Sequence, residues 1–232
     1  MDTDETLICH AKEFAKRLQI VSFVEMFGLF KQRADSGSFA SNPKADAALR
    51  QATELKQAGR INEAIKELEN FHHCAEAGNA IYSVESFLRL PMYLQAAGRR
   101  EEAWEQFYKL LKDGYPKQLP DAGVRLAEKS AVYDKMRLFL QRDKNSLLAV
   151  HFGVLCYAAW LAALFKQSRK EELIKEQSPK KMLLKIDGLL AKAKRPDLRE
   201  TLNNALLQFI QLGYDLKFIE AESHRLVSEL PP

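Results

Sequence analysis

Three stretches carry residue types that could do chemistry. His72, His73 and Cys74 are adjacent and would offer three ligands to a transition metal. Neighbouring positions on a helix point about 100° apart, so three in a row cannot all face one ion, and no metal site is expected here. His151 and Cys156 stand five apart within SLLAVHFGVLCYAAWLAALF, residues 146–165. Two ligands on one helix face want a spacing of four, which leaves a buried histidine and a buried thiol as the plainer account. A Cys–His nucleophile pair stays open, with no elbow motif to support it. Glu101, Glu102 and Glu105 resemble paired carboxylates, yet they fall at the start of a helix, where negative charge offsets exposed N–H groups. GxxxxGK[ST], GxGxxG, HExxH and GxSxG are all missing, so the chain is expected to be non-catalytic and to need no cofactor, with an enzyme of unrecognised site as the alternative.

Charge offers a different chemistry. The net charge of +4 is small, but residues 166–195 hold 10 Lys+Arg against 4 Asp+Glu, whereas residues 46–115 hold 9 against 11. The stretch around Lys180, Lys181 and Lys185 would suit a nucleic acid or another anionic partner. No aromatic residue follows Phe165 in it, so the first expectation is a pair of solvated amphipathic helices, with nucleic-acid contact through residues 166–195 as the alternative. Cys9, Cys74 and Cys156 are odd in number and far apart, which excludes a disulfide framework and fits a reducing cytoplasm. The opening MDTDETLICHAKEF lacks the apolar core of an export signal.

The elements that must position these residues are helices. The chain has 47% apolar and 28% charged residues with only 10 Gly and 8 Pro, and no stretch alternates as a strand would, so the expected class is all-α. Residues 1–33 read as an amphipathic helix and 34–43, ADSGSFASNP, as a linker closed by Pro43. Further helices are expected at 44–58, 61–75, 80–97 and 100–112, broken at Gly59, Gly78 and Gly98. Others follow at 122–142, 146–167, 180–194, 197–212 and 215–229, with Ser178 as an N-cap and Pro179 at the first helical position. Residues 146–165 reach membrane-spanning length, but His, Ser, Gly, Tyr and Ala make insertion marginal, and a buried helix with no membrane span is expected.

One phrase occurs twice. LKQAGRINEAIKEL at 55–68 returns as LQAAGRREEAWEQF at 94–107, 39 positions later. Gly59-Arg60-Ile61-Asn62-Glu63-Ala64-Ile65 and Gly98-Arg99-Arg100-Glu101-Glu102-Ala103-Trp104 resemble the tetratricopeptide repeat, in which Gly turns a helix pair and a small Ala lets the second helix approach closely. A third, degenerate copy follows if Lys144 replaces the glycine and Ala149 the alanine. Pro91 departs from the pattern, and a kink or a fresh helix is expected there. The resemblance implies a solenoid of helix hairpins over 44–167, extended by C-terminal helices over 168–232, whose activity is to bind a protein or peptide. It places the binding face on the first helix of each pair: Leu49, Thr53 and Lys56, then Leu88, Met92 and Gln95, then Asp134, Leu138 and Gln141. The same face would equally serve to pack against the chain's own terminal helices, and a homo-oligomer is left open.

Overall fold

The computed structural model describes residues 42–118, 121–166 and 179–228. Among them are nine α-helices and no strand: α1 Pro43–Gln57, α2 Ile61–Ala77, α3 Val84–Ala96, α4 Arg100–Asp113, α5 Ala122–Arg142, α6 Ser146–Lys166, α7 Pro179–Lys192, α8 Leu198–Gln211 and α9 Leu216–Ser228. The all-α class holds. The expected helix at 1–33, most of the linker and the Ser178 cap lie outside the described residues. Pro43 opens α1 instead of closing the linker. Asn42 caps it, its side chain accepting from the Ala45 N–H at 3.2 Å, and proline costs nothing at a first-turn position that has no intrahelical donor to lose.

Helix ends share one device. Gly59 and Gly98 adopt φ of +76° and +80°, and the next N–H reaches back to the helix: Arg60 to the Leu55 carbonyl at 2.8 Å, Arg99 to the Leu94 carbonyl at 2.9 Å. A Cβ at either glycine would meet nothing within 4 Å, so the requirement is for the left-handed backbone and not for space. Lys144 takes the same position after α5, with φ of 60° and Asn145 N–H to Leu140 carbonyl at 2.9 Å, and Lys194 repeats it after α7 with φ of 57°. Arg60 pairs with Glu63 and Arg99 with Glu102, each through the side-chain fork, at the start of the following helix. These exposed pairs add little stability.

The third helix starts later than position 80 because the chain before it is tied down. Tyr82 donates to Asp46 at 2.9 Å, and the Asn42 amide donates to the Cys74 carbonyl at 2.8 Å, which holds 78–83 extended across the start of α1. Pro91 sits buried inside α3, which runs through it as a single helix without the fresh start expected there.

The chain divides into two compact units, with the boundary in sequence between Leu119 and Pro120. The expected repeat region 44–167 therefore spans the division. In the first unit α1 packs on α2, α2 on α3 and α3 on α4. Ala64 and Ala103 are both 0% exposed, and Phe71, Phe87, Ala45, Ala48 and Ala75 form one cluster, with Tyr82 and Tyr115 against it. In the second unit α6 is the core. Residues 149–164 are all buried, enclosed by α5, α7 and α9. Helix α6 is the one described helix long and apolar enough to cross a membrane, and 89% of its most apolar window is buried.

Candidate partner-binding face

Thr53, Lys56 and Leu49 share one face of α1, three and four residues apart, and α3 lies alongside it. The contact is made by Arg89, which the sequence reading passed over. Its guanidinium donates to the Leu49 carbonyl at 3.1 Å, to the Thr53 hydroxyl and to the Tyr93 hydroxyl at 3.3 Å. The Tyr93 ring, 6% exposed, lies under Lys56 Nζ at 4.3 Å and beside Arg89 at 5.8 Å. All acceptors around Arg89 are neutral, and among the described residues neither it nor Lys56 has a carboxylate partner. The face therefore carries two positive charges over a tyrosine ring, edged by half-buried Met92 and Gln95.

Leu88 does not belong to it. At 1% exposure it is a core residue, because α3 turns its 87–88–90–91 side toward the interior. Arg89 and Tyr93 lie one step round the helix from the expected Leu88 and Met92. The signal available in the sequence was their four-residue spacing, which stacks an arginine on an aromatic ring.

The residues expected from a third copy have a different fate. Asp134 accepts from Arg137 Nε at 3.0 Å and Nη2 at 2.7 Å, Gln141 accepts from Arg137 Nη1 at 2.7 Å, and Lys185 of α7 stands 3.8 Å from Asp134. Arg137 is 6% exposed, so Asp134 neutralises and Gln141 hydrogen-bonds a buried cation inside the unit instead of facing a partner. Leu138 between them is half-buried. The structure thus brings Leu49, Thr53, Lys56, Met92 and Gln95 together with Arg89, and leaves the α5 trio in the other unit.

The remaining chemistry-bearing residues are structural. His72 packs edge-on against Phe71 and Phe87, its ring centroid 5.6 and 5.1 Å from theirs, while His73 is exposed and Cys74 bonds Asn70 within its own helix. Burial, then the nearby Lys109 and His73, push His72 down to about 4. His151 and Cys156 are not brought together. The His151 Nδ1 meets the Ser223 hydroxyl at 2.8 Å, and Ser223 itself donates to the Ile219 carbonyl at 2.7 Å, so the ring N–H is the donor. The Cys156 thiol lies 3.4 Å from Ser130, and burial pushes it up to about 11, far from a reactive thiolate. This corrects the nucleophile-pair alternative: two residues five apart on a helix look about 140° away from each other. Among the described residues no three His, Cys, Asp or Glu side chains converge as a metal site would require. A shallow hollow of about 490 Å³ lies on the far side of α1, bordered by Arg50, Glu54, Leu55 and Arg60.

No family model matches the chain, and comparison with the curated proteins and with the solved structures finds no match either. Residues, distances and charges are therefore what the functional reading rests on.

Proposed function

We propose that residues 42–118 are two tetratricopeptide-like repeats that hold a protein or peptide partner in the cytoplasm, without catalysis, on the face formed by α1 and α3. One observation carries the reading. The two first helices of the repeated hairpins are joined side by side through Arg89, and the cations on that face, Arg89 and Lys56, meet neutral acceptors and a ring but, among the described residues, no carboxylate. A cation left without a counter-charge costs desolvation that an acidic or carbonyl-rich segment of a partner would recover. Support also comes from the turns, where both hairpins use a left-handed glycine followed five residues later by a fully buried alanine. An extended segment or one turn of helix laid along Thr53, Met92 and Gln95 would bury their apolar parts and present acceptors to Arg89.

The test is affinity capture from the native cell followed by rebinding of the identified partner to pure protein. Thr53→Glu with Met92→Glu places a carboxylate beside Arg89 and a charge on the apolar edge. This pair should abolish rebinding while helicity and melting stay close to those of the parent. Undiminished rebinding would sink the proposal for this face.

A further inference from the structure

Helix α7 turns Met182, Leu183, Ile186, Leu189 and Leu190 into its unit, each 4% exposed or less. At 100° per residue its remaining positions form one continuous arc. Lys180 lies on one flank, Leu184 and Gly188 run along the middle, and Lys181, Lys185 and Lys192 lie on the other flank, all of them exposed. The single acid of the helix, Asp187, closes the arc about 20° beyond Lys180, where it is half-buried and taken by Arg199. Lys185 alone has a carboxylate nearby, Asp134 at 3.8 Å, and the other three lysines have none among the described residues. From Lys180 to Lys192 the arc thus carries four positive charges over about 18 Å of helix, and its one acid, at the edge, is already held by an arginine.

The composition of the arc selects among anionic partners. Protein interfaces need a dry, apolar centre and are depleted in lysine there, and Leu184 is the only large apolar side chain available. A helix seated in a lipid surface needs a whole row of large apolar residues, and one leucine cannot supply it. Single-stranded nucleic acid is held by stacking its bases on aromatic rings, and the arc has none. A duplex asks only for cations within reach of its phosphates and a surface low enough to approach. Gly188 lowers the surface beside Lys181 and Lys185, since a Cβ there would meet only open space, and leaves Leu184 as the one large side chain between the lysines.

We propose that this face of α7 binds the phosphate backbone of double-stranded nucleic acid without reading its sequence. The site lies on residues of the 121–228 unit, so its fate is separate from that of the partner-binding face on α1 and α3.

The experiment is fluorescence anisotropy of the full chain with a labelled random-sequence duplex, titrated across about 50 to 200 mM salt. Binding should weaken with a log–log slope of about −3.6, or 0.9 for each of four lysines. Each of Lys180→Gln, Lys181→Gln and Lys192→Gln should lower that slope by about 0.9, and the triple variant should bind at least tenfold more weakly at the lowest salt, with unchanged helicity. Lys66→Gln with Lys109→Gln, in the other unit, should change neither quantity. Absence of binding at low salt, or single variants that keep the parent slope, would overturn the proposal. So would tighter binding to a single strand of the same length, or to vesicles rich in anionic phospholipid.

Discussion

Helix α2 in the unit of residues 42–118 and helix α6 in the unit of residues 121–228 both follow a left-handed turn, yet they are buried in different ways. Helix α2 buries one stripe, Ala64, Ile65, Leu68, Phe71 and Ala75, partly covers His72 and Cys74 beside it, and exposes most of the rest. Helix α6 buries every residue from 149 to 164. A one-sided helix is satisfied by neighbours along one side, whereas a helix apolar all round must be enclosed. The width of the apolar arc, and not the turn, decides how many neighbours a helix gathers. The proposed binding face follows the same division. The first unit can leave a polar, cationic face on α1 and α3 uncovered, while the second spends Asp134 and Gln141 on its own buried arginine.

The comparison can be broken at several strengths. The largest effect belongs to the buried alanines: Ala64→Trp and Ala149→Trp should each cost about 3 kcal/mol or more by overpacking, measured as urea midpoints. Equal tolerance of Trp at Ala149 and at an exposed α6-free position such as Ala58 would mean that α6 is not enclosed. Next come the two buried imidazoles, one per unit. Both His72 and His151 are held down at about 4, so the folded chain binds fewer protons than the unfolded chain, whose imidazoles titrate near 6.5. Stability is complete above about pH 6.5 and falls as pH drops toward 4, by up to roughly 3 kcal/mol for His151. His151→Gln, which can keep a bond to Ser223, should flatten that dependence, and an unchanged pH profile would contradict a buried neutral ring. Smallest are the turns. Gly59→Ala should destabilise by about 1 kcal/mol, whereas Lys144→Gly and Lys194→Gly should stabilise by about 0.5 to 1 kcal/mol, because a side chain in the left-handed region is strained. Opposite signs at glycine and lysine positions, read from thermal midpoints, would show that the two units share one turn filled with different residues.

Much of the fold was legible. Helix boundaries at 43–57, 100–113, 122–142 and 146–166 fall within a residue or so of those expected, because caps, glycines and apolar periodicity act over a single turn of chain. Lys144 was readable as a turn residue only through its alignment with Gly59 and Gly98, since lysine by itself announces nothing of the kind. The face on α1 and α3 was half legible. Spacing placed Leu49, Thr53 and Lys56 correctly on one side of α1, but misplaced Leu88 by one position, where a rotation of about 100° separates core from surface. Arg89 was missed because its partners, the Leu49 carbonyl and Thr53, lie 40 and 36 residues away in sequence.

What the chain determined by itself is local: the nine described helices, their caps and turns, the repeated Gly and Ala, and the lysine-rich arc of α7. Those depend on neighbours within four or five residues, where hydrogen bonds and side-chain periodicity are set by the sequence directly. Only the tertiary structure decided which charges are spent and which are left. Arg137 and Arg89 each have a carboxylate within reach on their own helix, Asp134 three residues before the one and Glu85 four residues before the other, and spacing alone does not say which is paired. Arg137 is enclosed with Asp134 and Gln141, while Arg89 meets neutral oxygens across two helices and keeps its charge uncompensated. That difference arises from burial and from contacts far apart in sequence, and it is what separates a packing residue from a candidate for recognition.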